Sequence, residues 1–511
     1  MRKIITSLSK ARKNSFTLNP KLSEDVLKGI AIRSAGITIT ERIIEYAINT
    51  ISVIILARIL TPTDFGLVAM VASIAGIFGI FRDLGISDIT VQAAELNQTQ
   101  VSTLFWVNAL FNGAIALILI ASSPLISKFY REPKLIGITI LYSLSFIFVG
   151  LSTQHFALLK RSMRFGQIAI IGITSTILSV IIAIIMAASG FGYWSIIVKQ
   201  VTLGLFITLG AWACLSWKPG RPVFTKEIWR MIGMGLNIVG FFVLNYFVLN
   251  IDKTIIGWRL DADQLGYYDR AFQLAIMPIS LLAMPLHSVA VSTLSKLKNE
   301  LDKYIKYYLN SLLALNFIGI PVSAFLFLKS DDIVYLLLGP KWAFTEKLFK
   351  IFSVGIWAGI TYGTHGWLHI SLGRTDRWLK WGLISAPCFV ASYFIGINWG
   401  PTGVAGAYTI ILVALVFPSI LYGGRPINLG FRTLIIYLWR YFVSGIVSLF
   451  VCIPLLPLLA DFNIWLRILL PLFLYAILYL SCLIILFRNV KPIFYLLSLF
   501  MEYVKRKDGR N

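Results

Sequence analysis

About fourteen stretches of roughly twenty mostly apolar residues follow one another along this chain, and that is the length a helix needs to cross the hydrocarbon core of a bilayer. They lie near 35–60, 66–82, 101–121, 135–157, 166–189, 193–215, 231–258, 265–290, 306–328, 346–371, 378–397, 402–423, 437–460 and 464–487, divided by short charged or Gly/Pro-containing breaks. Composition closes the soluble alternative: 58% of the 511 residues are hydrophobic and 14% are charged, where a soluble domain carries about 25% charged residues. Too little polar surface exists to cover a water-facing exterior. The expected fold class is an all-α polytopic membrane protein.

Charge sets the orientation. Lys and Arg number 46 against 23 Asp and Glu, a formal net charge of +23. Membrane proteins concentrate cations in cytoplasmic loops, and with the N-terminus inside, 31 of these cations fall on the cytoplasmic side and eight outside. Both termini are therefore expected in the cytoplasm, and the basic balance needs no nucleic-acid partner. The first 34 residues carry eight Lys and Arg and lack the apolar centre of a cleaved signal peptide. Cys214, Cys388, Cys452 and Cys482 sit in apolar runs without C-x-x-C spacing, which indicates neither metal nor redox chemistry.

An internal repeat organises the spans. Arg58-Ile-Leu-Thr-Pro-Thr-Asp-Phe-Gly66 aligns with Trp258-Arg-Leu-Asp-Ala-Asp-Gln-Leu-Gly266 at an offset of 200. His155 to Arg164 resembles His369 to Arg377, and Gly192 resembles Gly403. Six helices thus recur as the next six. An even repeat gives both copies the same topology, related by an axis along the membrane normal. The expected division is a basic cytoplasmic segment 1–34, an N-lobe 35–216, a cytoplasmic inter-lobe loop 217–230 and a C-lobe 231–423. Two additional helices within 437–487 and a basic cytoplasmic tail 488–511 follow.

Six segments also have a familiar order: Leu56 to Gly66, Leu159-Lys-Arg-Ser-Met-Arg-Phe165, Gly190-Phe-Gly-Tyr-Trp-Ser195, Asp252-Lys-Thr-Ile-Ile-Gly257, Leu265-Gly-Tyr-Tyr-Asp-Arg-Ala271 and Leu338-Gly-Pro-Lys-Trp342. Together they resemble the bacterial polysaccharide exporters of the Wzx type, within the branch that exports colanic acid and related exopolysaccharide units. The likeness runs from about residue 30 to 425. It implies a multidrug/oligosaccharidyl-lipid/polysaccharide (MOP) superfamily transporter, two six-helix lobes around a central cavity in the bacterial plasma membrane. It implies as cargo a polyprenyl-pyrophosphate-linked oligosaccharide repeat unit, flipped from the cytoplasmic to the outer leaflet, for exopolysaccharide or O-antigen synthesis. Two positions depart from the pattern: Ser292 stands where a proline is expected after Val289-Ala-Val, and Asp269 where a small or polar residue is usual.

Such a cargo carries a charged pyrophosphate, which cannot enter hydrocarbon without a substitute for its lost water. Charges inside spans are costly and are functional candidates by default. Those expected to meet pyrophosphate or glycan are Lys199, Arg42, Lys253, Arg270 and Arg58, with Lys199 first because no carboxylate neighbours it in its own helix. Arg42 and Glu45 share a helical face, which predicts an ion pair. Arg440 and Arg467, in the last two helices, read as interface anchors. No nucleotide-binding G-x-x-x-x-G-K-[ST] occurs, so no cofactor is expected. Proton or sodium coupling would fall to Asp252, Glu41 or Glu45. Gly355, Gly359 and Gly363 form a G-x-x-x-G stripe for close helix packing or a hinge. His365 and His369 have metal-like spacing without a third ligand, so no metal is expected and polar packing is the reading.

Two other functions compete. A multidrug cation exporter of the same superfamily needs a carboxylate-rich cavity, against which the surplus of intramembrane Arg and Lys argues. A polysaccharide polymerase or acyltransferase needs a catalytic set on a substantial loop, and these loops are short, which favours a transporter over an enzyme. Membrane lipids, and a polymerase or assembly protein at the last two helices, are the further partners to consider.

Overall fold

The computed structural model describes residues 24–83, 85–93, 96–224, 246 and 250–488. Among them there is no strand, and the chain is a succession of helices. They are α1 (Glu24–Ile59), α2 (Pro62–Gly79), α3 (Ile86–Gln92), α4 (Gln98–Tyr130), α5 (Leu135–Arg161), α6 (Phe165–Ala188), α7 (Trp194–Cys214) and α8 (250–259). After these come α9 (Ala262–Leu297), α10 (Leu301–Leu328), α11 (Ser330–Leu338), α12 (Ala343–Tyr362), α13 (His365–Ser371), α14 (Thr375–Gly396), α15 (Gly400–Gly424), α16 (Phe431–Cys452) and α17 (Ile464–Ser481). Nine helical segments among the described residues are long and apolar enough to cross a membrane, one of them, Thr375–Ile427, joining two successive helices. The protein is a multi-pass membrane protein. Most of the expected seventh span, 231–258, lies outside the described residues, as do the basic residues 1–23 and 489–511.

Local chemistry sets the helix starts. Thr61 and Asp64 form a capping box around Pro62: Asp64 N donates to Thr61 Oγ1 at 3.3 Å and Thr61 N to Asp64 Oδ2 at 2.9 Å. Asn97 and Gln100 do the same for α4, at 2.8 and 3.1 Å. Asn463 Oδ1 accepts the Leu466 N–H at 2.9 Å to start α17.

Contacts divide the chain into two compact units, Met1–Gly266 and Tyr267–Asn511. In the first, α4 pairs with α5, α6 with α7, and α5 with α7; in the second, α10 pairs with α12, α14 with α15, and α12 with α15. The equivalent helices α4 and α10 each carry an internal proline, Pro124 and Pro321. Each also holds an asparagine mid-helix, Asn112 and Asn316, donating to the carbonyl four residues back at 2.9 Å. Repetition is therefore visible in packing and in side-chain detail.

Both units use polar side chains as interhelical glue, as helices do where lipid supplies no hydrophobic drive. In the second unit Tyr304 meets Ser371 at 2.6 Å, Tyr308 meets Thr364 at 3.0 Å, and Thr361 Oγ1 donates to Asn316 Oδ1 at 2.9 Å. In the first, Arg161 donates to the carbonyls of Thr90 (2.8 Å) and Ala93 (2.5 Å), closing the end of α3. The described part of the expected inter-lobe loop is not free. Trp217 Nε1 donates to Gln98 Oε1 at 2.7 Å, Gly220 N to Ser102 Oγ at 2.9 Å and Val223 N to Thr103 Oγ1 at 2.9 Å, lashing the segment along the first turns of α4. Residues 225–230 of that loop lie outside the described residues.

The last two helices are built into the second unit rather than appended to it. Tyr479 of α17 donates to Phe317 O of α10 at 3.2 Å, and Tyr475 to Gly445 O of α16 at 3.0 Å. Arg467, expected as an interface anchor, instead bonds Asp332 Oδ1 at 2.5 Å. Its partner lies on α11, a helix whose approach cannot be inferred from linear spacing.

Candidate functional site

The first unit gathers most of the candidate residues, and three levels of them can be built from the helices that carry them. At one end, the α1–α2 turn meets the α8–α9 turn. Thr63 Oγ1 donates to Asp263, its repeat mate 200 residues on. A Cβ on Gly66 would stand 1.7 Å from the Ala262 carbonyl oxygen, and a Cβ on Gly266 would stand 1.9 Å from that of Pro62. The two glycines are themselves repeat mates, so each helix start seats on the backbone of the other. Asp64 adds a third element: its Oδ1 accepts Tyr193 N at 2.9 Å, holding the approach to α7.

One level deeper, Lys199 of α7 reaches α1. Its ammonium donates to Asn49 Oδ1 at 3.2 Å and Ser52 Oγ at 2.9 Å. Both of these acceptors are neutral and tie α7 to α1. Ser52 is 0% exposed, and Asp252, which the repeat aligns with it, is 1% exposed beside the buried Lys253. Asp252 and Lys253 lie about 10 Å of helix rise before residue 259, the last residue of α8. Tyr246 donates to the Ala72 and Ser73 carbonyls at 3.1 and 2.9 Å and lies within electrostatic reach of Tyr142, Tyr130, Asp252 and Arg82. Tyr130 shares a 3.0 Å hydrogen bond with Ser73.

The third level holds the carboxylates of α1. Glu45 and Glu41 turn toward Gly172 of α6, where a Cβ would stand 2.4 Å and 3.1 Å from their respective Oε1 atoms. A side chain at 172 would displace the end of Glu45 from this helix. Among the described residues no ion pair joins Arg42 to Glu45: Arg42 is exposed while both carboxylates turn to α6. Both carboxylates pack against α6 while remaining within electrostatic reach of Arg42. Arg58, in the last turn of α1, is exposed.

Arg82 was not singled out from sequence, where it counts as a cytoplasmic loop cation. α2 stops at Gly79, the chain turns through Gly85 at φ +69°, and α3 resumes at Ile86. This break stands beside the middle of α4: Asn112 Nδ2 donates to Arg82 O at 2.9 Å, about 21 Å of helix rise from Gln98 and about 27 Å from Tyr130. The guanidinium carbon lies 4.5 Å from the centroid of the buried Phe146 ring on α5.

In the second unit, Arg270 pairs with its neighbour Asp269. Gly355 packs against Thr409 of α15, whereas Gly359 admits Ile279 of α9, so these two glycines serve different helices. Gly363 caps α12, where a Cβ would meet only carbonyls of that helix, at 3.7 Å. His365 and His369 are buried with ring centroids 5.8 Å apart, and His365 Nδ1 contacts Tyr362 O at 2.5 Å.

Comparison with known proteins identifies the company this arrangement keeps. Residues 55–346, more than half of the chain, match the family model described as "Polysaccharide biosynthesis protein". The chain is 24% identical over 404 residues to the teichuronic acid biosynthesis protein TuaB of Bacillus subtilis, covering 77% of this chain and 81% of that protein. It is 21% identical over 418 residues to the lipopolysaccharide biosynthesis protein WzxC of Escherichia coli, covering 80% and 84%. Among solved structures, the lipid II flippase MurJ in an inward closed conformation superposes with a TM-score of 0.69 at 17% identity, over 89% of this chain and 99% of that one. An inward-facing multidrug resistance transporter of the MOP superfamily superposes at 0.58 and 14% identity, over 75% and 94%. The fold is that of MOP superfamily transporters.

Proposed function

We propose that this chain, which belongs to the polysaccharide biosynthesis protein family, is a flippase that carries polyprenyl-pyrophosphate-linked oligosaccharide repeat units from the inner to the outer leaflet of a bacterial plasma membrane. The observation that carries this reading is the interior of the first unit. It holds Lys199, on the span Trp194–Cys214, against Asn49 and Ser52, with Asp252 and Lys253 buried. An ammonium anchored on the amide and hydroxyl of α1 is positioned to donate to an incoming anion. Lys199 is accordingly the proposed pyrophosphate contact, with Lys253, Arg42, Arg58 and Arg270 as secondary cation candidates. A multidrug reading fares worse, since an organic cation would be repelled by the same group.

The closed end at Gly66 and Gly266 supports alternating access, because a tight seal on one side is what a transporter must open and remake. Glu41, Glu45 and Asp252 are the proposed ion-coupling carboxylates. If they couple export to protons, collapsing the proton gradient in proteoliposomes stops flipping by the parent chain, while Glu45→Gln flips slowly with or without the gradient. Equal flipping by the parent in both conditions would remove proton coupling.

The test of the function itself is made in cells depleted of the protein. Complete lipid-linked repeat units should accumulate on the cytoplasmic leaflet while external polymer is lost, and Lys199→Ala should fail to restore polymer despite normal membrane levels. Lys199→Arg should restore part of it. Depletion that raises drug sensitivity without lipid-linked intermediates would favour the multidrug alternative.

A further inference from the structure

At the end of the first unit that carries the Gly66 and Gly266 seam, α8 lies against the last turn of α4, so closely that a Cβ on Gly257 would stand 2.8 Å from Tyr130 Cε1. The neighbouring residues carry the contact to the surface. Phe129 and Trp258 stack with ring centroids 6.0 Å apart and planes 10° from parallel, and both are exposed. The Arg259 guanidinium lies over the same Trp258 ring, 4.6 Å from its centroid. Lys128 precedes Phe129 in the last turn of α4, and Arg131 ends that helix at φ +57°, a left-handed position that glycine would fill at less cost.

Positive charge is scarce on this side. Of the eight cations that fall outside on the topology read from the charge balance, Lys128, Arg131, Lys134 and Arg259 belong to this one corner. All four are exposed, and among the described residues no ion pair reaches any of them. The nearby carboxylates hold helix starts instead: Asp64 accepts Tyr193 N at 2.9 Å, Asp261 accepts Gln264 N at 2.8 Å, and Asp263 accepts Thr63 Oγ1.

Below the corner, α4 presents Leu117, Ala121, Leu125 and Phe129, four residues apart and all exposed. This apolar row is about 18 Å long, more than half of a hydrocarbon core of about 30 Å. It therefore runs the depth of one leaflet and finishes at the stacked rings and the cations. Hydrocarbon, then aromatic rings, then basic groups is the order in which a phospholipid presents its acyl chain, its interface and its phosphate. We propose that this corner binds an anionic phospholipid of the surrounding bilayer, an acyl chain lying along the row and the headgroup phosphate meeting Lys128, Arg131 and Arg259. The guanidinium groups suit bidentate contact with phosphate oxygens. A zwitterionic headgroup would bring its own ammonium among these cations, so the site selects for net negative charge.

The test uses the full-length chain in phosphatidylcholine nanodiscs doped with a photoactivatable phosphatidylglycerol, with the cross-linked peptides mapped by mass spectrometry. The parent should be labelled at the end of α4 and at Trp258, and unlabelled phosphatidylglycerol should compete where added phosphatidylcholine does not. Lys128→Gln/Arg259→Gln should lower that labelling roughly tenfold or more, since each basic residue near an anionic headgroup contributes about fivefold. Labelling at the opposite end of α4, where the Lys218 carbonyl accepts Gln98 Nε2 at 2.9 Å, should be unchanged in the same sample. High salt should reduce labelling of the corner in the parent, a check that needs no variant to fold. Equal labelling by a photoactivatable phosphatidylcholine, or labelling indifferent to both the double variant and salt, overturns the proposal and leaves an ordinary apolar lipid contact. Competition by a sugar-free polyprenyl pyrophosphate that exceeds competition by phosphatidylglycerol also overturns it, making the occupant the carrier lipid.

Discussion

Gly66→Ala and Gly266→Ala are each expected to destabilise the closed first unit by about 3 kcal/mol or more and to stop export, the upper range of what overpacking costs. The magnitude follows from what the added carbon would strike. At Gly66 it would lie 1.7 Å from the carbonyl oxygen and 2.5 Å from the carbonyl carbon of Ala262; at Gly266, 1.9 and 2.7 Å from the same atoms of Pro62. A side chain in the way can rotate aside, but these are backbone atoms at the first turns of two helices, and one start is pinned by its capping box and by Asp64 on Tyr193. The helix starts must separate, and with them the Thr63 to Asp263 hydrogen bond. Since either alanine opens the same seam, Gly66→Ala with Gly266→Ala should cost much less than the sum of the two, as neighbours in one contact do. Thermal melts of the two single variants and the double variant, alongside polymer output, make the check. A Gly66→Ala protein that melts and exports like the parent would show that the seam is not the tight contact described.

The repeat marked the residues of that seam in the sequence, though not that they meet. The 200-residue offset that aligns Gly66 with Gly266 is the same offset that joins Thr63 to Asp263. Helix positions were also readable, since a length of apolar chain is set by the bilayer and owes little to tertiary detail. Partners across helices were not. Lys199 finds Asn49 and Ser52 about 150 residues away, and no periodicity encodes that meeting. Arg82 was hidden by a different cause. Asp83 and Gly85 are loop signals, and they do mark a break, but the helix resumes at Ile86 and the break stays inside the bundle. Polar residues that end one span and those that interrupt one look alike until the next helix is placed. Gly355, Gly359 and Gly363 show the same limit: spacing announces a smooth face, while the structure assigns Gly355 and Gly359 to two different neighbours.

Asp332→Asn is expected to be the most destabilising charge change in the second unit, by about 3–5 kcal/mol, the range for breaking a buried pair from one side. Asp332 receives Lys329 on Oδ2 at 2.9 Å and Arg467 on Oδ1 at 2.5 Å, so a single carboxylate compensates two cations. The Lys329 and Asp332 side chains are only 7% and 8% exposed, whereas Arg467 is 39% exposed. That asymmetry orders the variants. Arg467→Gln leaves the buried pair intact and removes only a half-exposed contact, worth about 1 kcal/mol or less. Lys329→Met removes a buried charge together with its desolvation cost and leaves Asp332 to Arg467, so it should fall well below Asp332→Asn. Only Asp332→Asn strands a buried ammonium without its counter-charge. The cluster joins α11 to α17, so its loss should also loosen the last two helices, and proteolysis at the α16–α17 connection should quicken in Asp332→Asn alone. Melting the three variants at low and high salt decides the matter, because a buried pair is weakly screened and a surface one strongly. Equal losses in all three, or losses that vanish in salt, would mean that the triad is a solvated surface cluster and that the last helices are held by their tyrosine contacts.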